Sequence, residues 1–181
     1  WPFGGPEVSI EEAASKAIFQ TYEIEGGQEI VQDINVADKK QQPYSVLSRV
    51  MAYDGNGRCI NLTSHVRKDK LEWKAPAGKW KVIALYNGKT RQKVKRAAPG
   101  GEGYVMNHLS KSAVKSYLSR FDRAFKSSKT SYPHTFFNDS YEVYQADWTE
   151  DFLDQFARRR GYKLEEHFPE FLDESRPEVS R

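Results

Sequence analysis

The chain has 181 residues, 38% of them hydrophobic and 13% aromatic, with 28 basic and 25 acidic side chains and a net charge of +3. That is enough for one domain or two small ones, and the mixed charge argues against a polyanion-binding protein. A single cysteine, Cys59, excludes an internal disulfide and a cysteine-rich metal centre, and no run approaches the roughly 18 apolar residues of a membrane span.

The chain opens WPFGGPE, with two Gly and two Pro in six residues, which reads as a sharply turned loop. There is neither an initiator Met nor a signal peptide here, so the chain is read as a piece of a longer protein. Ser9 has the character of an N-cap, with Glu11 and Glu12 in a first turn and Ala13, Ala14 and Ala17 following. This predicts a short helix over about residues 10 to 17.

From residue 18 the pattern changes to apolar-polar alternation. IFQTYEI turns at Gly26-Gly27, and YSVLSRVMAY turns at Asp54-Gly55-Asn56-Gly57, a hairpin signal. KLEWKAPAGKWKVIALY turns at Pro76-Ala77-Gly78. Strands recurring without a helical period predict a small antiparallel β domain, a sandwich or barrel, over 18–97. Period two puts Ile18, Tyr22, Ile24, Val46, Val50, Trp80, Val82 and Ala84 on inward positions. The basic run KTRQKVKR, residues 89 to 96, fits a solvated edge strand guarded by lysines better than a nucleic-acid contact.

From residue 98 the character changes again. APGGEGYV is a second Gly-rich loop, and Ser110 caps a helix with Ala113, Val114, Tyr117, Leu118, Phe121 and Phe125 on one side. SYPHTFF reads as a buried strand. Thr149 caps a second helix with Phe152, Leu153, Phe156 and Ala157 on its apolar face, Gly161 ends it, and EEHFPEFL forms a short amphipathic turn or helix. The predicted class is α+β: a loop and short helix at 1–17, an inserted β domain at 18–97, and at 98–181 a helix-strand-helix segment of a partial (β/α) barrel.

Chemistry concentrates where the predicted strand ends, in Asn138-Asp139-Ser140-Tyr141-Glu142. Ligands of α/β sheets bind beyond the carboxyl ends of strands. Two carboxylates there suit hydrogen bonding to sugar hydroxyls or proton donation to a leaving oxygen. The bland alternative is an Asx turn with Glu142 paired to one of Arg158 to Arg160. In WPFGG and PGGEGYV, glycines would let backbone approach a ligand, with Trp1, Phe3 and Glu102 as contacts. His65, His108, His134 and His167 lack metal-ligand spacing and read as structural or exposed.

WPFGGP, APGGEGYVMNHLSKSAVKSYLSRFDRAF and FFNDSYEVYQADWTEDFLDQFARRRGY resemble bacterial α-L-rhamnosidases of glycoside hydrolase family 106, most clearly over residues 1 to 8 and 98 to 165. The resemblance implies a fragment of a larger enzyme built on a (β/α)8 barrel with β insertions and further β-sandwich domains. It implies inverting hydrolysis by two carboxylates, a calcium ion near the sugar, a polysaccharide or oligosaccharide substrate, and a periplasmic or secreted location. By that resemblance Glu142 is the acid. Asn138, Asp139 and Tyr141 contact or orient substrate and acid, and Trp1 with its glycines shapes the sugar pocket. The second carboxylate would lie beyond residue 181, leaving the isolated fragment inactive. The chain departs from the pattern at Asn107, where the family stretch has an aspartate. The competing reading is a non-catalytic carbohydrate-binding or structural domain.

Overall fold

The computed structural model describes residues 3–135, 137 and 141–175. In chain order its strands are β1 (Gly4–Gly5), β2 (Ser15–Glu25), β3 (Glu29–Asp33), β4 (Val46–Asp54), β5 (Cys59–Asn61), β6 (Val66–Arg67), β7 (Lys70–Lys74), β8 (Lys79–Lys89) and β9 (Tyr104–Val105). Its α-helices are α1 (Lys111–Ser128), α2 (Phe152–Arg160) and α3 (Phe168–Phe171). The chain divides into two compact units, Trp1–Lys16 with Lys89–Thr149, and Ala17–Gly88 with Glu150–Arg181.

The second unit is built on two sheets, ordered β2-β8-β4-β5 and β3-β7-β6. One core unites them: Val50, Ala52, Val82 and Ala84 from the four-stranded sheet, and Leu71 and Trp73 from the three-stranded one, with Ile34, Val36 and Leu62 from the connections. Trp73 and Trp80 meet edge to face at 5.2 Å, the arrangement that opposed ring quadrupoles favour. The hairpin at Asp54 forms because its carboxylate accepts from the Asn56 and Arg58 amides, both at 2.9 Å, replacing backbone partners in the turn.

Seven of the eight expected inward residues belong to this core or pack against it. Val46 does not; it is 68% exposed. The register between β4 and β8 shifts between Leu47 and Arg49. One extra residue reverses the alternation, so Leu47 packs on the core instead.

The other face of the four-stranded sheet is covered by the C-terminal segment. Phe19 packs edge to face on Phe168 at 5.2 Å, the Tyr53 hydroxyl donates to the Glu165 carbonyl, and Arg49 lies 3.8 Å from the Glu165 carboxylate. This accounts for Ile83 and Leu85 being buried on the opposite side from Val82 and Ala84. Helix α2 begins after Asp151, two residues past the expected cap. Asp151 holds the first turn through Gln155, whose side-chain amide donates to its carboxylate at 2.9 Å, whereas Thr149 is buried. Gly161 ends α2 in the left-handed conformation, as expected (φ 78).

The first unit is smaller. β1 and β9 pair antiparallel, Gly4 with Val105 and Gly5 with Tyr104. The two Gly-rich loops, a hundred residues apart in sequence, therefore touch each other. A Cβ on Gly4 would stand 2.3 Å from the Tyr104 carbonyl oxygen, and one on Gly103 would stand 1.9 Å from that of Gly5. These glycines permit backbone to meet backbone, rather than a ligand. Residues 10 to 17 are not helical: β2 begins at Ser15, and Ala13 bridges to Met106 instead. The alanines suit a helix, but Ala13 and Ala14 are wholly buried, and tertiary pairing overrides propensity.

Helix α1 begins as expected, with the Ser110 hydroxyl accepting from the Ala113 amide at 3.4 Å. Its core contacts reach only the first turns, where Ala113, Val114 and Tyr117 pack with Val8, Tyr104 and Met106. Leu118 and Phe121, expected on the same buried side, are 47% and 41% exposed. The expected buried strand at SYPHTFF is absent from its described residues, and Phe137 is 86% exposed. A barrel strand is held by neighbours on both sides, and Pro133 can donate no ladder bond. The helix-strand-helix of a partial barrel is therefore not found among the described residues. The architecture is α+β, small antiparallel sheets with few helices. Among the described residues no helix is long and apolar enough to cross a membrane.

Candidate functional site

Of the expected site residues, Trp1, Asn138 and Asp139 lie outside the described residues. Phe3, Glu102, Tyr141 and Glu142 all belong to the first unit. Two of them converge on a residue that the sequence reading set aside. The Phe3 ring lies 5.9 Å from His108, and Tyr141 meets His108 edge to face at 5.1 Å. Phe3 also packs on Tyr117 at 6.1 Å, and Tyr117 on Phe121 at 5.6 Å. The Arg120 guanidinium stands over both of these rings, at 4.5 and 4.7 Å, a cation–π arrangement. The result is a partly exposed aromatic band. Glu102 is exposed on its loop and is not part of it.

His108 is more than a spacer in this band. Its Nδ1 lies 2.8 Å from the Met106 carbonyl. A carbonyl only accepts, so Nδ1 carries the proton and Nε2 keeps its lone pair. Burial pushes the imidazole below its ordinary range, partly opposed by the bond to Met106, so the neutral ring is favoured. Burial also raises the Tyr141 hydroxyl, which stays protonated and able to donate.

Next to His108 in sequence, Asn107 is 1% exposed. Its side-chain oxygen accepts from the Leu109 amide at 3.0 Å, and its side-chain nitrogen donates to the Trp148 carbonyl at 3.2 Å. The second bond requires a donor. An aspartate, which the resemblance expects here, could not make it, so in this chain the position has a structural task.

The segment from Tyr141 to Tyr144 is held from below and from the side. Val143 is buried with Ala14 and Val105. The side-chain amide of Gln92 donates to the Glu142 carbonyl at 2.7 Å, and its oxygen accepts from the Tyr144 amide at 2.8 Å. Lys95 stands 4.8 Å over the Tyr144 ring, and Lys93 likewise over Tyr104. The basic run is thus an anchored loop, bridged to β9 through Lys93 and Tyr104, and not a free edge strand. Glu142 itself is exposed. Neither His108 nor Gln92 had a usable signal: one is a lone histidine, the other sits among six polar neighbours.

Among the described residues no three His, Cys, Asp or Glu side chains come together as a metal site. The calcium that the resemblance implies therefore finds no such cluster in them.

Comparison with known proteins bears on what this arrangement serves. Residues 14–174 match the family model Glyco_hydro_106, described as alpha-L-rhamnosidase. A curated protein of Formosa agariphila, "Putative beta-glucuronidase", is 35% identical over 115 residues, 61% of this chain and 10% of that protein. The structure of a rhamnosidase from Novosphingobium sp. PP1Y aligns with a TM-score of 0.62 at 15% identity, over 92% of this chain and 33% of that one. The chain thus spans a third of that rhamnosidase and a tenth of the Formosa protein.

Proposed function

The chain belongs to glycoside hydrolase family 106, and from that premise we propose that it is the part of a larger multidomain enzyme that supplies the general acid, Glu142, for hydrolysis of α-linked glycosides, α-L-rhamnosides foremost. The observation that carries the reading is local. Glu142 is exposed on a segment whose backbone is fixed on both sides of Val143, and its neighbour Tyr141 belongs to an exposed aromatic band. Sugar rings present apolar C–H faces that stack on such rings, and hydroxyls that His108 Nε2 can accept from.

In this reading the Glu142 carboxyl protonates the glycosidic oxygen as the bond to the anomeric carbon breaks. A second carboxylate, supplied by residues outside this chain, takes a proton from the attacking water on the opposite face of the sugar, giving inversion. A (β/α) barrel, which the family resemblance implies, would then draw its strands from the rest of that enzyme. A periplasmic or secreted location goes with the same reading.

The test is Glu142→Gln in the full-length polypeptide. Loss of a general acid lowers turnover roughly 100-fold to 10,000-fold, most on poor leaving groups, with the circular dichroism spectrum unchanged. An unchanged rate on an alkyl α-L-rhamnoside would end the acid role. Turnover of an aryl β-D-glucuronide in place of the rhamnoside would keep the acid and change the sugar. The exposed aromatic band also fits a carbohydrate-binding module without catalysis. That reading predicts binding of rhamnose-containing oligosaccharide that Phe3→Ala and Tyr141→Ala weaken, with no effect of Glu142→Gln on any rate.

A further inference from the structure

The side chain of Gln92 reaches across to the backbone on both sides of Val143. Its nitrogen donates to the Glu142 carbonyl at 2.7 Å, and its oxygen accepts from the Tyr144 amide at 2.8 Å. A neighbouring β-strand offers a residue the same pair of bonds, one given and one taken. Here a primary amide offers it, and only Asn and Gln carry such a group in neutral form. The Gln92 main chain is fixed in turn. Its carbonyl accepts from the Val105 amide in β9 at 2.9 Å, and its own amide donates to the Thr90 hydroxyl at 3.3 Å. Val143 is buried against Val105 and Ala14. A continuous set of contacts therefore runs from β9 through Gln92 to the peptide that carries Glu142.

We infer that Gln92 is a positioning residue for the reaction, fixing the backbone of Glu142 so that its carboxyl meets the glycosidic oxygen. This rests on the reading of Glu142 as the acid. The Glu142 side chain is exposed, so its position depends on what holds its main chain. Val143 fixes the depth of the segment. The paired bonds from Gln92 fix its rotation about the chain axis, which decides where the residues beside Val143 point.

The experiment uses the full-length polypeptide with Gln92→Met, which keeps length and volume but makes neither bond, and Gln92→Glu, which keeps an acceptor for Tyr144 and loses the donor. A catalytic group displaced by about 1 Å loses on the order of 100-fold. On an alkyl α-L-rhamnoside, whose poor leaving group needs the proton, kcat for Gln92→Met falls about 10-fold to 100-fold with KM little changed. On a dinitrophenyl glycoside, whose leaving group needs no proton, it falls less than about threefold. As pH falls, the Glu variant recovers activity relative to the parent, because its carboxylic acid, like the amide, both donates and accepts. Equal losses on both substrates would overturn the inference and leave Gln92 a structural residue. The control is Glu142→Gln. If it shows the leaving-group-dependent loss and Gln92→Met does not, this inference alone fails. If Glu142→Gln is itself silent on the alkyl glycoside, the acid assignment fails and takes this inference with it. Should Gln92→Met not fold, Gln92→Glu across pH decides by the same criterion: a ratio to the parent that does not rise towards acid pH overturns the positioning role.

Discussion

At Asn107 a single atom decides which residue fits. The side-chain nitrogen donates to the Trp148 carbonyl in a position only 1% exposed. Asn107→Asp would set a carboxylate against a carbonyl oxygen with no water to separate them, at a cost of at least about 2 kcal/mol. Thermal denaturation at neutral pH should register this as a lower midpoint. Because burial favours the protonated acid, the loss should shrink as pH falls. His108 has the opposite dependence. Its folded-state pKa lies below the ordinary 6.5, so the unfolded chain binds the proton more readily. Its contribution is therefore complete above about 6.5 and is lost as pH falls through that value towards the folded pKa. The stability difference between the parent and His108→Gln should narrow over that window; a difference independent of pH would mean that His108 does not titrate in the fold as described.

At the scale of elements, the turns and hairpins of the β region were legible because local chemistry specifies them. Asp54 with its two amide partners, the Trp80-to-Tyr86 strand, the Ser110 cap and the Gly161 stop each depend on residues only a few positions apart. What failed depended on distant chain. Ala13 and Ala14 look helical until Met106 and Val105 are known to lie beside them, and Val46 looks inward until the register shift near Ser48 is counted. The pairing of β1 with β9 is of the same kind. Nothing in WPFGG names its partner, yet Gly4 and Gly103 fit only because each meets the other loop's backbone. Gly103→Ala should destabilise by about 1–3 kcal/mol or more, as overpacking does. Gly55→Ala, whose Cβ would meet nothing within 4 Å, should stay within about 0.5 kcal/mol. Urea titrations of the two variants give the comparison, and equal midpoints would refute the close approach.

For the whole molecule, the family was legible because its motifs are continuous runs of sequence, WPFGGP, APGGEGYV with the helix after it, and the stretch from Phe136 to Tyr162, and the match extends over residues 14–174, across both units. Of the proposed site, residue type and position pointed to Glu142, Tyr141 and Phe3, but not to Gln92 or His108, whose contacts cross 50 and 33 residues of chain respectively. The cover over the four-stranded sheet shows the same dependence stretched further, since 112 residues separate Tyr53 from its carbonyl partner at Glu165. During synthesis, at about 5–20 residues per second, β2 to β8 leave the ribosome with Phe19, Tyr53 and Ile83 still facing water for roughly 4–16 seconds before Phe168 arrives. For that interval the nascent sheet presents a greasy flat surface to every other chain in the cell. The finished form, with Phe168 seated on Phe19, no longer reveals that open face.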